Sequence, residues 1–152
     1  MPPRLFTSIK DLEAAIGEEL GPTDWVHVDQ QTVNRFADLT NDHQWIHTNP
    51  ERAASSPFGY TIMHGCLTLS MLPGFASRLY SIQTGTARLN YGLDKVRFLT
   101  PVPVGSSIRP TATIKHVQAV RSGIRAAFSW TVEAQNTDRP VCVAESITLI
   151  VH

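Results

Sequence analysis

Between Thr40 and His47 the chain reads Thr-Asn-Asp-His-Gln-Trp-Ile-His, which gathers one carboxylate and two imidazoles within six residues. A second polar cluster, Met63-His64-Gly65, follows it. Asp42 and His47 suit acid/base work on a water molecule, one group removing a proton while the other delivers one. Five residues of regular helix turn through about 500°, which leaves the two side chains on different faces. They converge only on non-helical backbone, and the turn-prone Thr40-Asn41-Asp42 supplies it. On residue types alone a second reading stands beside this one, with Asp42 as a loop cap and His47 as a packed or surface histidine.

Gly65 opens a long apolar run. A glycine at a helix N-terminus leaves a backbone N–H free at the positive end of the helix dipole. Such an N–H can polarise a carbonyl and hold an enolate-type oxyanion. Close helix packing accounts for the glycine equally well. His43 and His47 have the four-residue spacing of a zinc helix, but Gln44 stands where that motif needs a glutamate base. A third ligand would have to come from Asp42 or His64, and no metal is expected. Cys66 and Cys142 show no ligand spacing and read as two buried free thiols. Trp45 reads as a packed aromatic. Lys95 and Arg97 alternate on a strand and read as a solvated face rather than a phosphate site.

The secondary structure around these groups follows from periodicity. Ser8 caps a short helix to Ile16, with Leu12, Ala15 and Ile16 on one face. Trp25–Val28 is a short strand. Asp29 caps a second helix over 30–39, with Val33, Phe36 and Ala37 buried. Asn49-Pro50 starts a short helix. From His64 to Tyr80 the spacing of Leu67, Met71, Leu72, Phe75 and Leu79 predicts the most buried helix, kinked or split at Pro73-Gly74. Beyond Gly85 the chain turns to strands: 88–98, 107–120, 124–134 and 141–151, separated by turn signals. Helices first and long meandering strands after predict an α+β layout, with an antiparallel sheet wrapped on the apolar helix. The outer sheet edge must be covered or paired, which favours edge-to-edge dimerisation.

Length and charge set the outer limits. The chain has 152 residues, which predicts a single domain, and 13 basic against 13 acidic residues. A zero net charge excludes a basic nucleic-acid groove and gives no attraction to an anionic membrane surface. The N-terminal Met-Pro-Pro-Arg lacks the apolar core of a signal peptide, and no apolar run reaches the ~18 residues of a membrane span, so a cytoplasmic protein is expected.

Asp42, His47 and the downstream His64-Gly65, in that order, resemble the signature of the MaoC-like dehydratases, the R-specific enoyl-CoA hydratases of the hydratase 2 type. The resemblance extends from Phe36-Ala37-Asp38-Leu39-Thr40-Asn41-Asp42 to Lys95-Val96-Arg97-Phe98 and Pro101-Val102 with Val104-Gly105. One departure is Gln44-Trp45, where family members commonly carry Asn-Pro; it suggests a reshaped pocket wall. The resemblance implies a hot-dog fold, a long helix wrapped by an antiparallel sheet. It implies that Asp42 and His47 activate one water for addition to a trans-2-enoyl-CoA, giving R-3-hydroxyacyl-CoA, with Gly65 N–H on the thioester oxygen. It implies no cofactor and no metal, an acyl-CoA thioester as substrate, and a homodimer with the acyl tunnel near its interface. Which of Asp42 and His47 donates the proton stays open. Two alternatives share the fold. A hot-dog acyl-CoA thioesterase would use a carboxylate on the central helix, and residues 66–80 hold none. A non-catalytic acyl-CoA-binding module would carry the pair as relics.

Overall fold

A computed structural model describes residues 2–152. Three short strands, β1 (Arg4–Phe6), β2 (Glu19–Leu20) and β3 (Val26–His27), surround α1 (Ile9–Ala14) at the start of the chain. Then come α2 (Gln30–Thr40), α3 (Trp45–Thr48), α4 (Pro50–Ala54) and the long α5 (Gly65–Leu79). Strand β4 (Tyr80–Ile82) leads into β5 (Ala87–Phe98), β6 (Ser107–Val120), β7 (Gly123–Ala134) and β8 (Cys142–Val151).

The expected caps are present. The Ser8 side chain accepts from the Asp11 N–H in a capping box, Asp29 accepts from Thr32, and Asn49 accepts from Arg52 ahead of Pro50 at the first helical position. The long strands fall almost where alternation puts them. The six-stranded antiparallel sheet runs β2-β6-β7-β8-β5, with β3 also on β6, while β1 and β4 form a separate parallel pair. Periodicity did not reveal β1, β2 and β4, because two or three residues are too short to show a period.

Helix α5 fills the concave side of the sheet. Leu72, Phe75 and Leu79 sit in one buried cluster with Ile114, Phe128, Trp130 and Val132. This is the hot-dog arrangement. The helix is not in two pieces: it runs unbroken through Pro73. Pro73 and Gly74 fall on its exposed side, and the buried Leu72 and Phe75 flank them on the core side. Expectation also fails at Cys66, which is exposed rather than buried. It shares the outward stripe of α5 with Ser70, Pro73 and Ser77, the helical spacing that the inward Leu67, Leu72 and Phe75 leave over. Cys142 is buried, and burial pushes its thiol up to about 11.

Strand β5 is the open edge of the sheet. Leu89 and Tyr91 on it are each 50% exposed, and Leu93 and Phe98 nearly as much.

Candidate active site

The two polar clusters of the sequence meet at the first turn of α5. Asn41 ends α2 in the left-handed conformation, φ 59°, which asparagine tolerates better than most residues. The Asp42 N–H then reaches back to the Ala37 carbonyl at 3.1 Å, closing the helix end. This turn swings Asp42 out of the helical path, onto the irregular backbone that the five-residue spacing demanded. Its side chain is 55% exposed.

His47, on the four-residue α3, is buried. Its Nδ1 lies 2.7 Å from the Ile62 carbonyl oxygen. A carbonyl only accepts, so Nδ1 carries the proton and Nε2 keeps the free lone pair. The clamp around this ring is dense. Ile62 N–H donates to the Ile46 carbonyl at 2.9 Å, and Gln30 Nε2 donates to the His47 carbonyl at 2.7 Å. Thr61 Oγ1 donates to Gln30 Oε1 at 2.6 Å. Gln30 therefore ties the start of α2 to both the His47 turn and the segment before α5. Sequence reasoning missed Gln30 and Thr61, since a glutamine in a first helical turn looks like any solvated polar residue.

His64 caps the front of α5 and is 3% exposed. Its ring stacks on His47 with centroids 3.8 Å apart and planes 22° apart, and Phe36 meets it edge-on at 4.9 Å. His64 Nε2 donates to the Asp42 main-chain carbonyl at 3.0 Å, and its Nδ1 is buried without a partner among the described residues. One side-chain nitrogen or oxygen from each of Asp42, His47 and His64 lies within 4.8 Å of the others. The stack argues against a shared metal: two in-plane lone pairs on nearly parallel rings do not converge on one ion. His43 lies outside the group and pairs at the surface with Asp38 at 2.8 Å.

Burial holds the His47 ring below its ordinary value of 6.5, against the pull of the Ile62 carbonyl and Asp42, and His64 adds to the depression. The ring is therefore neutral at neutral pH.

Gly65 and Phe98 close the other side. A Cβ on Gly65 would lie 2.7 Å from the Phe98 ring, so the glycine lets that ring rest on the helix backbone. Among the described residues the Gly65 N–H has no protein acceptor. A cavity of about 210 Å³ opens here, lined by His47, Gly65, Thr68 and Phe98. Gln44 and Trp45 do not line it, contrary to the expected pocket wall. Gln44 is the exposed N-cap of α3, and Trp45 packs under the Arg52 guanidinium at 4.4 Å. Lys95 and Arg97 are exposed on β5.

Comparison with known proteins places this arrangement. The chain is 50% identical over 145 residues to 3-hydroxyacyl-thioester dehydratase Z of Mycobacterium tuberculosis (strain ATCC 25618 / H37Rv), covering 95% of this chain and 96% of that protein. Its structure is similar to that of a monoamine oxidase regulatory protein from Archaeoglobus fulgius, with a TM-score of 0.79, 26% identity, and coverage of 99% and 98%. An (R)-hydratase from A. caviae involved in PHA biosynthesis shares the fold, with a TM-score of 0.72, 20% identity, and coverage of 88% and 96%. Residues 11–136, which hold the carboxylate, both stacked imidazoles and the glycine of the site, match the MaoC like domain, and the chain belongs to that family.

Proposed function

We propose that this chain is an R-specific hydro-lyase, a single catalytic domain that interconverts trans-2-enoyl-CoA and R-3-hydroxyacyl-CoA. The observation that carries this reading is the state of His47. It is neutral and buried, its Nδ1–H is committed to Ile62, and a ring nitrogen lies within 4.8 Å of an Asp42 carboxylate oxygen.

In the hydration direction the thioester oxygen takes the Gly65 N–H, and the β-carbon lies over the pair. Asp42 accepts one hydrogen of the water and orients it. His47 Nε2 removes the other proton as the oxygen bonds to the β-carbon. Negative charge moves onto the thioester oxygen, where the N–H and the α5 dipole stabilise it. The imidazolium then returns its proton to the α-carbon, so the elements of one water are added and His47 is regenerated. Dehydration is the reverse. Every step uses side chains and backbone of this chain, and the reading requires no cofactor.

His64 is a positioning residue in this scheme. It holds the Asp42 backbone by hydrogen bond and the His47 ring by stacking, so both groups are set by one buried side chain.

The same reading makes the chain a homodimer through β5, whose exposed apolar residues and unpaired edge need cover. No helix among the described residues is long and apolar enough to cross a membrane. Two free cysteines fit a cytoplasmic setting.

The test is loss of conjugated enoyl-thioester absorbance with crotonyl-CoA, with hydroxyacyl-CoA as product and no free CoA. Full activity in Asp42→Asn would overturn the assignment.

A further inference from the structure

The cavity of about 210 Å³ beside His47 is walled mainly by apolar side chains, Ile62, Met63, Val102 and Val141 among them. Among the described residues, His47, Thr68 and Thr100 bring the only polar side chains to its lining. Thr100 is half-buried on the loop after β5. Thr68 sits in α5 itself, one helical turn after Gly65, and is 2% exposed. The proton transfers between Asp42, His47 and water give it no task.

Its hydroxyl lacks the partner that a helix usually supplies. A threonine inside a helix commonly donates to the carbonyl four residues back. Thr40 in α2 does so, to the Phe36 carbonyl at 2.7 Å. For Thr68 that carbonyl belongs to His64, and it already accepts the N–H groups of Leu67 at 3.1 Å and of Thr68 at 3.4 Å. Among the described residues nothing else bonds the Thr68 hydroxyl. The hydroxyl is not sealed off either. The buried side-chain atoms left without a partner are His64 Nδ1 and Arg125 Nε, and Thr68 Oγ1 is not one of them. Its oxygen therefore keeps an open approach, and the cavity is the space that Thr68 lines.

The direction of the side chain follows from helix geometry. Cα–Cβ bonds tilt toward the helix N-terminus, and residues three apart share a face. Thr68 therefore leans back over the turn that Gly65 begins, and Gly65 has no side chain to screen its own N–H. Two donors, the Gly65 N–H and the Thr68 hydroxyl, open on one cavity at the positive end of α5, with His47 on the same wall.

We propose that Thr68 is a further catalytic residue, whose hydroxyl donates a second hydrogen bond to the thioester oxygen beside that of the Gly65 N–H. The inference rests on the hydro-lyase reading and adds a residue to its oxyanion site. As water adds to the β-carbon, charge moves onto the thioester oxygen, and a donor already fixed on the helix binds it more strongly as the charge grows. The Thr68 proton stays on Oγ1 throughout.

The experiment uses Thr68→Val, which keeps the shape, and Thr68→Ser, which keeps the hydroxyl. With crotonyl-CoA, Thr68→Val should lower kcat about 100-fold with little change in KM, and Thr68→Ser should recover much of the loss. A second measurement needs no turnover: the infrared carbonyl stretch of bound butyryl-CoA, isotopically labelled at the thioester carbon. Losing a donor stiffens the carbonyl, so the stretch should lie higher in Thr68→Val than in wild type and return in Thr68→Ser. An unshifted stretch in Thr68→Val overturns the proposal whatever happens to kcat, because the hydroxyl would then serve the water or the packing. Full turnover in Thr68→Val overturns it too, as does a failure of butyryl-CoA to bind wild type. If wild type leaves crotonyl-CoA unhydrated, the hydro-lyase reading fails on its own, and the butyryl-CoA stretch still decides whether Thr68 contacts the thioester oxygen.

Discussion

The rings of His47 and His64 lie face to face, 3.8 Å between centroids, and each gives one N–H to a backbone carbonyl of a different loop. The stack couples the His47 ring, proposed above to activate water, to the carbonyl of Asp42, so losing His64 should loosen both members of the pair. His64→Ala is expected to lower kcat about 10- to 100-fold with a much smaller change in KM. His64→Gln places an amide N–H near the old Nε2 and should regain much of the loss. Equal defects in both variants would show that the hydrogen bond to Asp42 does nothing.

The pH dependence follows from the same contact. His47 must be neutral to take a proton, so kcat/KM should fall as pH drops below 6.5, on an acid limb set by its lowered value. Charge on His64 lowers the His47 value, so His64→Gln should move that limb to higher pH. A pH–rate profile of the two proteins checks the direction of the move.

Stability carries the matching signature. His47 binds its proton less readily folded than unfolded, so between the lowered folded value and 6.5 the unfolded chain holds more protons. This contribution is fully present above 6.5 and is lost as pH falls through that window. Urea midpoints measured for wild type and His47→Gln should converge on acidification across it. Midpoints that stay parallel would remove His47 as the cause.

Asp42→Asn keeps the size of the side chain and removes its charge. It should cut turnover by roughly 10²–10⁴-fold, the usual weight of an acid/base group, without lowering the melting temperature, because Asp42 is more exposed than buried. Unchanged turnover would overturn the assignment of Asp42 and His47 as the acid/base pair.

The β5 edge makes a prediction about assembly. Leu89→Lys with Tyr91→Lys replaces two half-exposed apolar residues by charge. Sedimentation should show a dimer in wild type and a monomer in the double variant. A dimer that survives both changes would place the interface elsewhere.

Much of this protein was legible in its sequence because the signals were local and repeated. Eleven residues of clean alternation define a strand, and Ser8, Asp29 and Asn49 mark helix starts because capping is decided within four residues. The spacing from Asp42 to His47 already required a break in the helix, and the Asn41 turn supplies it. Other features had no local signal. Nothing about Gln30 marks it as the link between α2, His47 and Thr61, since its partners lie 17 and 31 residues away. The exposure of Cys66 depended on which stripe of α5 the sheet covered, and an apolar helix with small residues on several sides does not declare that. His64 was visible as half of His-Gly, but its stack on His47 exists only after two distant turns fold together. Short-range periodicity and residue type were enough for the longer elements, their order and the chemistry available, though not for the two- and three-residue strands. Which nitrogen of His47 is free and how its ring meets that of His64 came only from folding, because both depend on contacts between segments far apart in the chain.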